Sequence, residues 1–303
     1  MKRGEPVKRN KKDEFTFNLM LLPGMVLLVM FSIMPMSGIV MAFQRFIPAR
    51  GITGSPWVGL DNFRFLFEVP EGRQAIINTI VIAVSKIIAG LVFSLLFALA
   101  LNAVRTAILK KTSQTIVFLP FFLSWAVLGY IYVNLLDLRG PINQLINFFG
   151  GDSIHFLISN TWFRPILVVT DTLRNLGYNT VIFIAAIVSV DPSLYEASEI
   201  DGATKFKQLL HITLPGIMST IVLLTTLSLG NVLNAGFDQV FNLYNPLVFQ
   251  TGDIIDTYVY RIGLVQAQFG LATAMGLFRS VVGMVLIILS YKLAAHFANY
   301  RIF

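Results

Sequence analysis

The residues of this chain that could do chemistry form two sets: the acids of one polar loop, and polar positions inside long apolar runs. The loop holds Glu196 and Glu199. Paired carboxylates can serve acid–base catalysis only where a cavity holds substrate against them. Here they follow Asp191-Pro192 and Ser193, which are helix-start signals, so they read as part of a helix cap. His155, His211 and His296 fall in an outer loop, a cytoplasmic loop and the last apolar run, too far apart to share a metal. With no cysteine there is no thiolate ligand or nucleophile. No Gly-rich loop ending in Gly-Lys-Ser/Thr exists to cradle a nucleotide phosphate. A membrane enzyme is disfavoured on these grounds.

Inside the apolar runs, Asp171 and Arg174 lie one helical turn apart, close enough to pair, and Asn175 and Tyr178 extend their stripe. Asn231, Asn234 and Asp238 form a second stripe on the next run. Each ionisable group in hydrocarbon costs a few kcal/mol unless it meets a partner or water, which makes a pore wall their natural place. Planar polar side chains suit sugar hydroxyls and aromatic faces suit sugar C–H surfaces. Tyr130, Tyr132, Asn134, Tyr178 and Asn234 supply both kinds. Any one of them can equally serve an interhelical hydrogen bond. Lys86 and Arg279 are open to three readings: snorkelling, pairing with a carboxylate, or lining the route. For an anionic solute, Arg174 or Arg279 could meet its charge.

The elements that must position these residues are membrane helices. Hydrophobic residues make up 55% of the chain and charged ones 13%, a composition that would expose too much apolar surface in water. Apolar runs of the ~20 residues needed to cross about 30 Å of hydrocarbon occur at about 18–43, 75–104, 112–136, 162–189, 212–237 and 270–297. They are continuously apolar rather than alternating, which predicts an all-α integral membrane protein of about six transmembrane helices. Residues 1–17 read as a basic tail, and 18–303 as a single transmembrane domain. Lys and Arg gather on one side: Lys2, Arg3, Lys8, Arg9, Lys11, Lys12, Arg105, Lys110, Lys111, Lys205, Lys207, Lys292 and Arg301. The other side has only Arg45, Arg50, Arg64, Arg73, Arg139, Arg164 and Arg261. The inside-positive bias therefore puts both termini and the Glu196 loop in the cytoplasm. The first run is too long for a secretory signal and lacks a small-residue cleavage site, so it reads as a retained helix.

The outer segments, about 44–74, 137–161 and 238–269, are punctuated by Gly and Asn. Trp57 to Phe67 has a helical apolar face with Asp61 able to cap it, and Trp57 reads as an anchor at the headgroup level. In the cytoplasmic segment 191–215, a helix opens at Asp191-Pro192 and ends at Gly202 in a left-handed turn. The chain resumes at Thr204 and turns into the fifth helix at Leu214-Pro215. Held at both ends by membrane helices, such an element can transmit a push.

This segment resembles a known motif. Glu196-Ala197-Ser198, three residues, Gly202, nine residues and Ile212-Thr-Leu-Pro215 match the EAA loop of binding-protein-dependent importers of the ATP-binding-cassette class, with Ser198 in place of the second Ala. Trp57-Val-Gly-Leu-Asp-Asn-Phe63 is similar to the first outer segment of carbohydrate importers. Gly236 to Val248 and Asp256 to Leu264 are similar to the permease branch serving poly- and oligosaccharides, including aldouronate-type systems. The resemblance covers nearly the whole chain and implies a type I importer permease fold. It also implies that Glu196, Ala197, Ser198, Asp201, Gly202, Ala203, Leu214 and Pro215 couple to an ATPase. The partners it implies are a second permease in a heterodimer, two ATPases holding ATP and Mg²⁺, and an extracellular sugar-binding lipoprotein. No cofactor or metal is expected on this chain itself.

Two further classes compete. A channel or proton-coupled carrier could use Asp171, Arg174 and Asp238 as a relay, but would leave the cytoplasmic loop unexplained. The net charge of +7 invites nucleic acid, yet the tail and the juxtamembrane positions account for it through anionic lipid.

Overall fold

The computed structural model describes residues 11–298, and the side chains of residues 15–292. The basic positions before Lys11, and Arg301, lie outside the described residues, and of His296 only the backbone is described. Among the described residues, three helices are long and apolar enough to cross a membrane: Phe15–Phe43, Pro70–Ala103 and Phe269–Lys292. Three bent pairs complete up to six spans: Ala107–Phe122 with Trp125–Phe148, Asn160–Val188 with Pro192–Ile200, and Lys205–Gly216 with Met218–Gly230. Many apolar side chains on these spans are exposed, as lipid-facing or partner-facing surface requires. The only β feature among the described residues is one isolated bridge between Gln44 and Trp57.

Several boundaries differ from the sequence reading for identifiable reasons. The first helix already runs from Lys11, so the end of the expected 1–17 tail is helical. The run at 112–136 is not one helix. It passes into a tight turn at Leu119–Phe122, where Pro120 removes a backbone donor, and restarts at Trp125 with Ser124 accepting from the Val127 N–H. The two halves meet at 106°. The run at 212–237 is broken as well: it begins at Lys205, bends by 56° near Gly216 and stops at Gly230. Asp61 opens the short outer helix Asp61–Glu68 but does not cap it, because the cap position is Leu60. Trp57 stays exposed and stacks on Phe43 at 5.8 Å.

The second and fourth spans, Pro70–Ala103 and Asn160–Val188, form the central packed pair. One apolar core lies at the end opposite the 191–215 loop, around Ile82, Phe163, Leu167, Ile254 and Met275. A smaller one, Ala98, Phe183, Ile187 and Ile217, lies toward the loop end. The segment at 245–261 is pinned to both spans by buried and half-buried polar groups. The fully buried Asn78 gives its amide N–H groups to the Asp253 and Gln250 carbonyls at 2.9 and 3.2 Å. Its side-chain oxygen accepts from Arg164 Nη2 at 2.7 Å and Gln74 at 3.0 Å. Arg164 Nε reaches the Thr251 carbonyl at 3.0 Å. Thr79 Oγ1 accepts the Ile255 N–H at 2.8 Å. Asp253 accepts from Thr257 and from Arg261, whose guanidinium also lies over Phe249. Burial raises the Asp253 carboxyl above its ordinary range, and these two donors oppose that shift.

Asn78→Leu keeps the volume but leaves Arg164 and two carbonyls without their partner. It is expected to destabilise the pinned segment by about 1–3 kcal/mol, read as earlier thermal unfolding of the purified protein. An unchanged unfolding temperature would show that the pin is not structural.

Candidate functional site

The cytoplasmic-type loop is built from local rules. Asp191 caps the Pro192–Ile200 helix, accepting the Ser193 N–H at 2.9 Å, and that bond holds its carboxyl below the usual range. The helix leaves the fourth span at 64°. It ends where Gly202 takes φ +73°, with Gly202 N–H donating to the Glu199 carbonyl and Ala203 N–H to the Ser198 carbonyl at 3.1 and 2.9 Å. This paired closure satisfies the last carbonyls and requires the left-handed residue that glycine tolerates. Thr204 then caps the next turn by accepting from Lys207 N–H.

One face of the helix is fastened to the body. Tyr195 bonds Thr213 Oγ1 at 2.9 Å, and Gln208, itself buried, donates to Ser198 Oγ at 2.8 Å. The residue that departs from the Glu-Ala-Ala pattern thus contributes a fastening. Lys205 bonds Glu199 and lowers its carboxyl pKa. The opposite face is open: Glu196, Ala197, Asp201 and Gly202 are exposed, and apolar Ile200 and Phe206 are 88% and 67% exposed. No heavy atom lies within 4 Å of where a Cβ on Gly202 would sit. Ala203 and Leu214 are half-buried and Pro215 is exposed where the chain re-enters the spans.

The second feature is a cavity of about 450 Å³ between the second, fourth and fifth spans. Asp171, Asn175, Tyr178, Asn231 and Asn234 line it together. The sequence singled out all five as pathway residues. Lys86, Asn179, Ser228 and Phe121 line it too. Asn179 continues the stripe of Asn175 at the next turn, so helical spacing could have found it. Phe121 stacks on Tyr178 at 4.8 Å, a contact that only the break in the third span allows.

The remaining expectations are corrected. Asp171 does not pair with Arg174; its ionic neighbour is Lys86, at 3.9 Å. Arg174 instead reaches the Leu123 carbonyl, at 3.4 Å from both Nε and Nη2, with its guanidinium over Trp125. Asn231, Asn234 and Asp238 are not a stripe on one helix. The helix ends at Gly230, Asn231 is its C-cap, Asn234 sits in the non-helical stretch, and exposed Asp238 belongs to the following helix, Phe237–Leu243. Tyr130, Tyr132 and Asn134 lie on Trp125–Leu136, away from this cavity. Tyr130 is exposed, Asn134 bonds its carbonyl, and Tyr132 packs on the main core.

Lys86 combines two of its three readings, since it neighbours the Asp171 carboxylate and also lines the cavity. Its side chain is 8% exposed, and Nζ donates to the Ala235 carbonyl at 2.6 Å and to Gln239 Oε1. Gln239, fully buried, passes its own N–H groups to Thr170 Oγ1 and the Leu167 carbonyl. Arg279 is fixed in a matching way, by the Leu233 carbonyl at 3.0 Å and by Asp256. Two cations, Lys86 buried and Arg279 partly accessible, thus hold the non-helical stretch through the Ala235 and Leu233 carbonyls. Neither is a loose charge waiting for an anionic solute.

The described residues contain no grouping of His, Asp and Glu able to hold a metal ion.

Comparison with known proteins places these features in context. Residues 90–299 match the model of the family described as binding-protein-dependent transport system inner membrane component. The polygalacturonan/rhamnogalacturonan transport system permease protein YteP of Bacillus subtilis is 43% identical, covering 94% of this chain and 89% of that protein. Protein LplB of the same organism is 38% identical over 97% and 92%. A crystal structure of a bacterial ABC transporter involved in import of the acidic polysaccharide alginate superposes with a TM-score of 0.86 at 34% identity, covering 94% of this chain and 97% of that one. The alginate transporter in complex with an alginate pentasaccharide-bound periplasmic protein also superposes at 0.86, with 33% identity and coverage of 96% and 98%.

Lys86→Met strips Asp171 and two carbonyl-type acceptors of their cation and is expected to destabilise the protein by about 3–5 kcal/mol. Adding Asp171→Asn should recover part of that loss, and a double-mutant cycle on thermal stability measures the coupling. Strict additivity would show that Lys86 and Asp171 do not interact.

Proposed function

The chain belongs to the family of binding-protein-dependent transport system inner-membrane components, and from that premise we propose how it works as a sugar permease of an ATP-driven importer. It is a transport permease of multi-pass membrane type, with the all-α type I importer fold. Its solute is an oligosaccharide or polysaccharide fragment delivered by an extracellular binding protein. The finer account is our reading. A single permease domain spans 18–303, preceded by the basic segment 1–17. Both termini and the 191–215 loop face the cytoplasm, supported by the bias of Lys and Arg toward that side. The partners are a second, non-identical permease, two ATPases that carry ATP and Mg²⁺, and a sugar-binding lipoprotein. This chain supplies no nucleotide site, and nucleic acid is not a partner.

The observation that carries the reading is the two-sided loop. Tyr195, Ser198 and Gln208 weld one face to the base of the spans, while Glu196, Ile200, Gly202 and Phe206 stand open on the other. A rigid element with an apolar, backbone-exposing outer face suits the cleft of a partner protein. Gly202 would let the partner approach without an intervening side chain, and Glu196 would meet a basic group there. Closure of the two ATPases would then move the loop as a solid body and swing the spans from inward-open to outward-open. The sugar would pass the cavity lined by Asn175, Tyr178, Asn231 and Asn234, where amides meet hydroxyls and the ring meets a C–H face.

Glu196→Ala combined with Gly202→Asp should leave the permease in the membrane but uncouple ATP hydrolysis from uptake, lowering transport by at least roughly tenfold, equivalent to about 1.4 kcal/mol of coupling. Wild-type uptake should persist when the ion gradient is collapsed and stop when ATP is depleted. Unchanged uptake by the double variant would sink the coupling role; uptake that follows the ion gradient would favour the carrier reading.

A further inference from the structure

The Asn231–Gly236 stretch has space on both sides. One side is the cavity already described. On the other lies a cleft of about 560 Å³ whose lining includes Asn234, Phe237, Asp256, Tyr260, Thr273 and Arg279. Asn234 lines both. The two spaces are therefore separated by a single non-helical run of backbone, clamped by Lys86 through Ala235 and by Arg279 through Leu233. We propose that this second cleft is a further sugar-unit subsite, in series with the first cavity along the import route; the inference rests on the oligosaccharide-import reading.

The chemistry of the lining supports a pyranose unit. Phe237 stacks on Phe241 at 5.1 Å, and Tyr260 meets both rings, at 5.9 and 5.0 Å. This cluster offers an aromatic platform for the C–H face of a sugar. Across from it, Asp256 and Arg279 are paired and both partly accessible, with side chains 18% and 31% exposed. The carboxylate accepts from hydroxyls. The guanidinium spends Nε on Leu233 and Nη1 on Asp256, leaving Nη2 to donate. A planar acceptor beside a planar donor matches two neighbouring hydroxyls. Because the two charges offset each other, the subsite reads hydroxyls rather than net charge. Asn234, standing in the partition, can hand a hydroxyl from one space to the other. Gly236 restarts the chain at φ +88°, and the next helix carries Phe237 into the second cleft.

The test exploits the absence of cysteine from this chain. Thr273→Cys is a small change at the cleft wall, and the permease can be assembled with its partners in vesicles before any modification. Treating that complete importer with a bulky thiol reagent fills the cleft after folding. Uptake of oligosaccharide should then fall by at least roughly tenfold, and sugar-loaded binding protein with ATP should slow the labelling severalfold. As an independent measure, Tyr260→Ala should raise the KM for uptake about three- to tenfold through loss of the aromatic face. The binding protein's own sugar affinity should not move. Full uptake after complete labelling, or labelling indifferent to sugar together with an unchanged KM in Tyr260→Ala, would overturn the subsite. Wild-type vesicles that import no oligosaccharide would instead overturn the import reading on which it rests.

Discussion

In hydrocarbon, a backbone carbonyl that loses its helical N–H partner must find another donor inside the protein, because no water is there to replace it. Breaks in the third and fifth spans create that demand, and cations meet it: Arg174 at Leu123, Lys86 at Ala235 and Arg279 at Leu233. The cations then need compensation of their own. Asp171 stands 3.9 Å from Lys86, Asp256 pairs with Arg279, and Arg174 lies over the Trp125 ring. Each of these three cations, which looked functional in isolation, answers a backbone need first. The cavities gather at these breaks because unwinding a helix opens space and exposes polar groups at the same place.

The same economy shapes the loop. Outside the hydrocarbon, helix ends can be closed locally, so Asp191, the Gly202 turn and Thr204 suffice and no ionisable group from elsewhere is recruited. Local closure leaves the outward face uncommitted. Fastening is instead concentrated on Tyr195, Ser198 and Gln208, which tie the helix to the beginning of the fifth span. A force applied to the exposed face therefore reaches the Lys205–Gly216 segment without being lost in a flexible hinge. That segment leads directly into the span whose far end unwinds at Asn231.

Signals that are local in the chain were legible in the sequence. The six apolar runs mark the spans, Asp191-Pro192 marks the loop helix start, and Gly202 marks its end. Five polar residues of the cavity lining were legible too, and three of them, Asp171, Asn175 and Tyr178, share one helix face that periodicity reveals. What stayed hidden was the breaks. Pro120 was visible, but apolar flanks on both sides made 112–136 read as one continuous helix. Gly230 to Gly236 likewise read as the end of a long fifth helix, which placed Asn231, Asn234 and Asp238 on one false stripe. The partners of Lys86, Arg174 and Arg279 followed from those breaks and come from residues 149, 51 and 46 positions away in the chain, so no spacing rule could supply them.

On the proposed route, the break in the fifth span would also limit how the permease selects its cargo. A pathway whose cations are bound to backbone and balanced by acids offers little unpaired charge to a passing solute. In the first cavity the remaining vocabulary is amide, hydroxyl and ring: Asn175, Asn231, Asn234, Ser228 and Tyr178. Such groups make weak, numerous and interchangeable contacts with the hydroxyls and C–H faces of many sugars. They cannot hold one sugar tightly, and tight binding would be a liability in a route that must release its load. On the proposed reading, discrimination among sugars would fall to the protein that delivers them, while the cavity would supply a polar lining tolerant of whatever arrives. On this account, a charged sugar crosses because its charge stays clear of the clamps, and moving either clamp would alter the stability of the partition before it altered the choice of cargo.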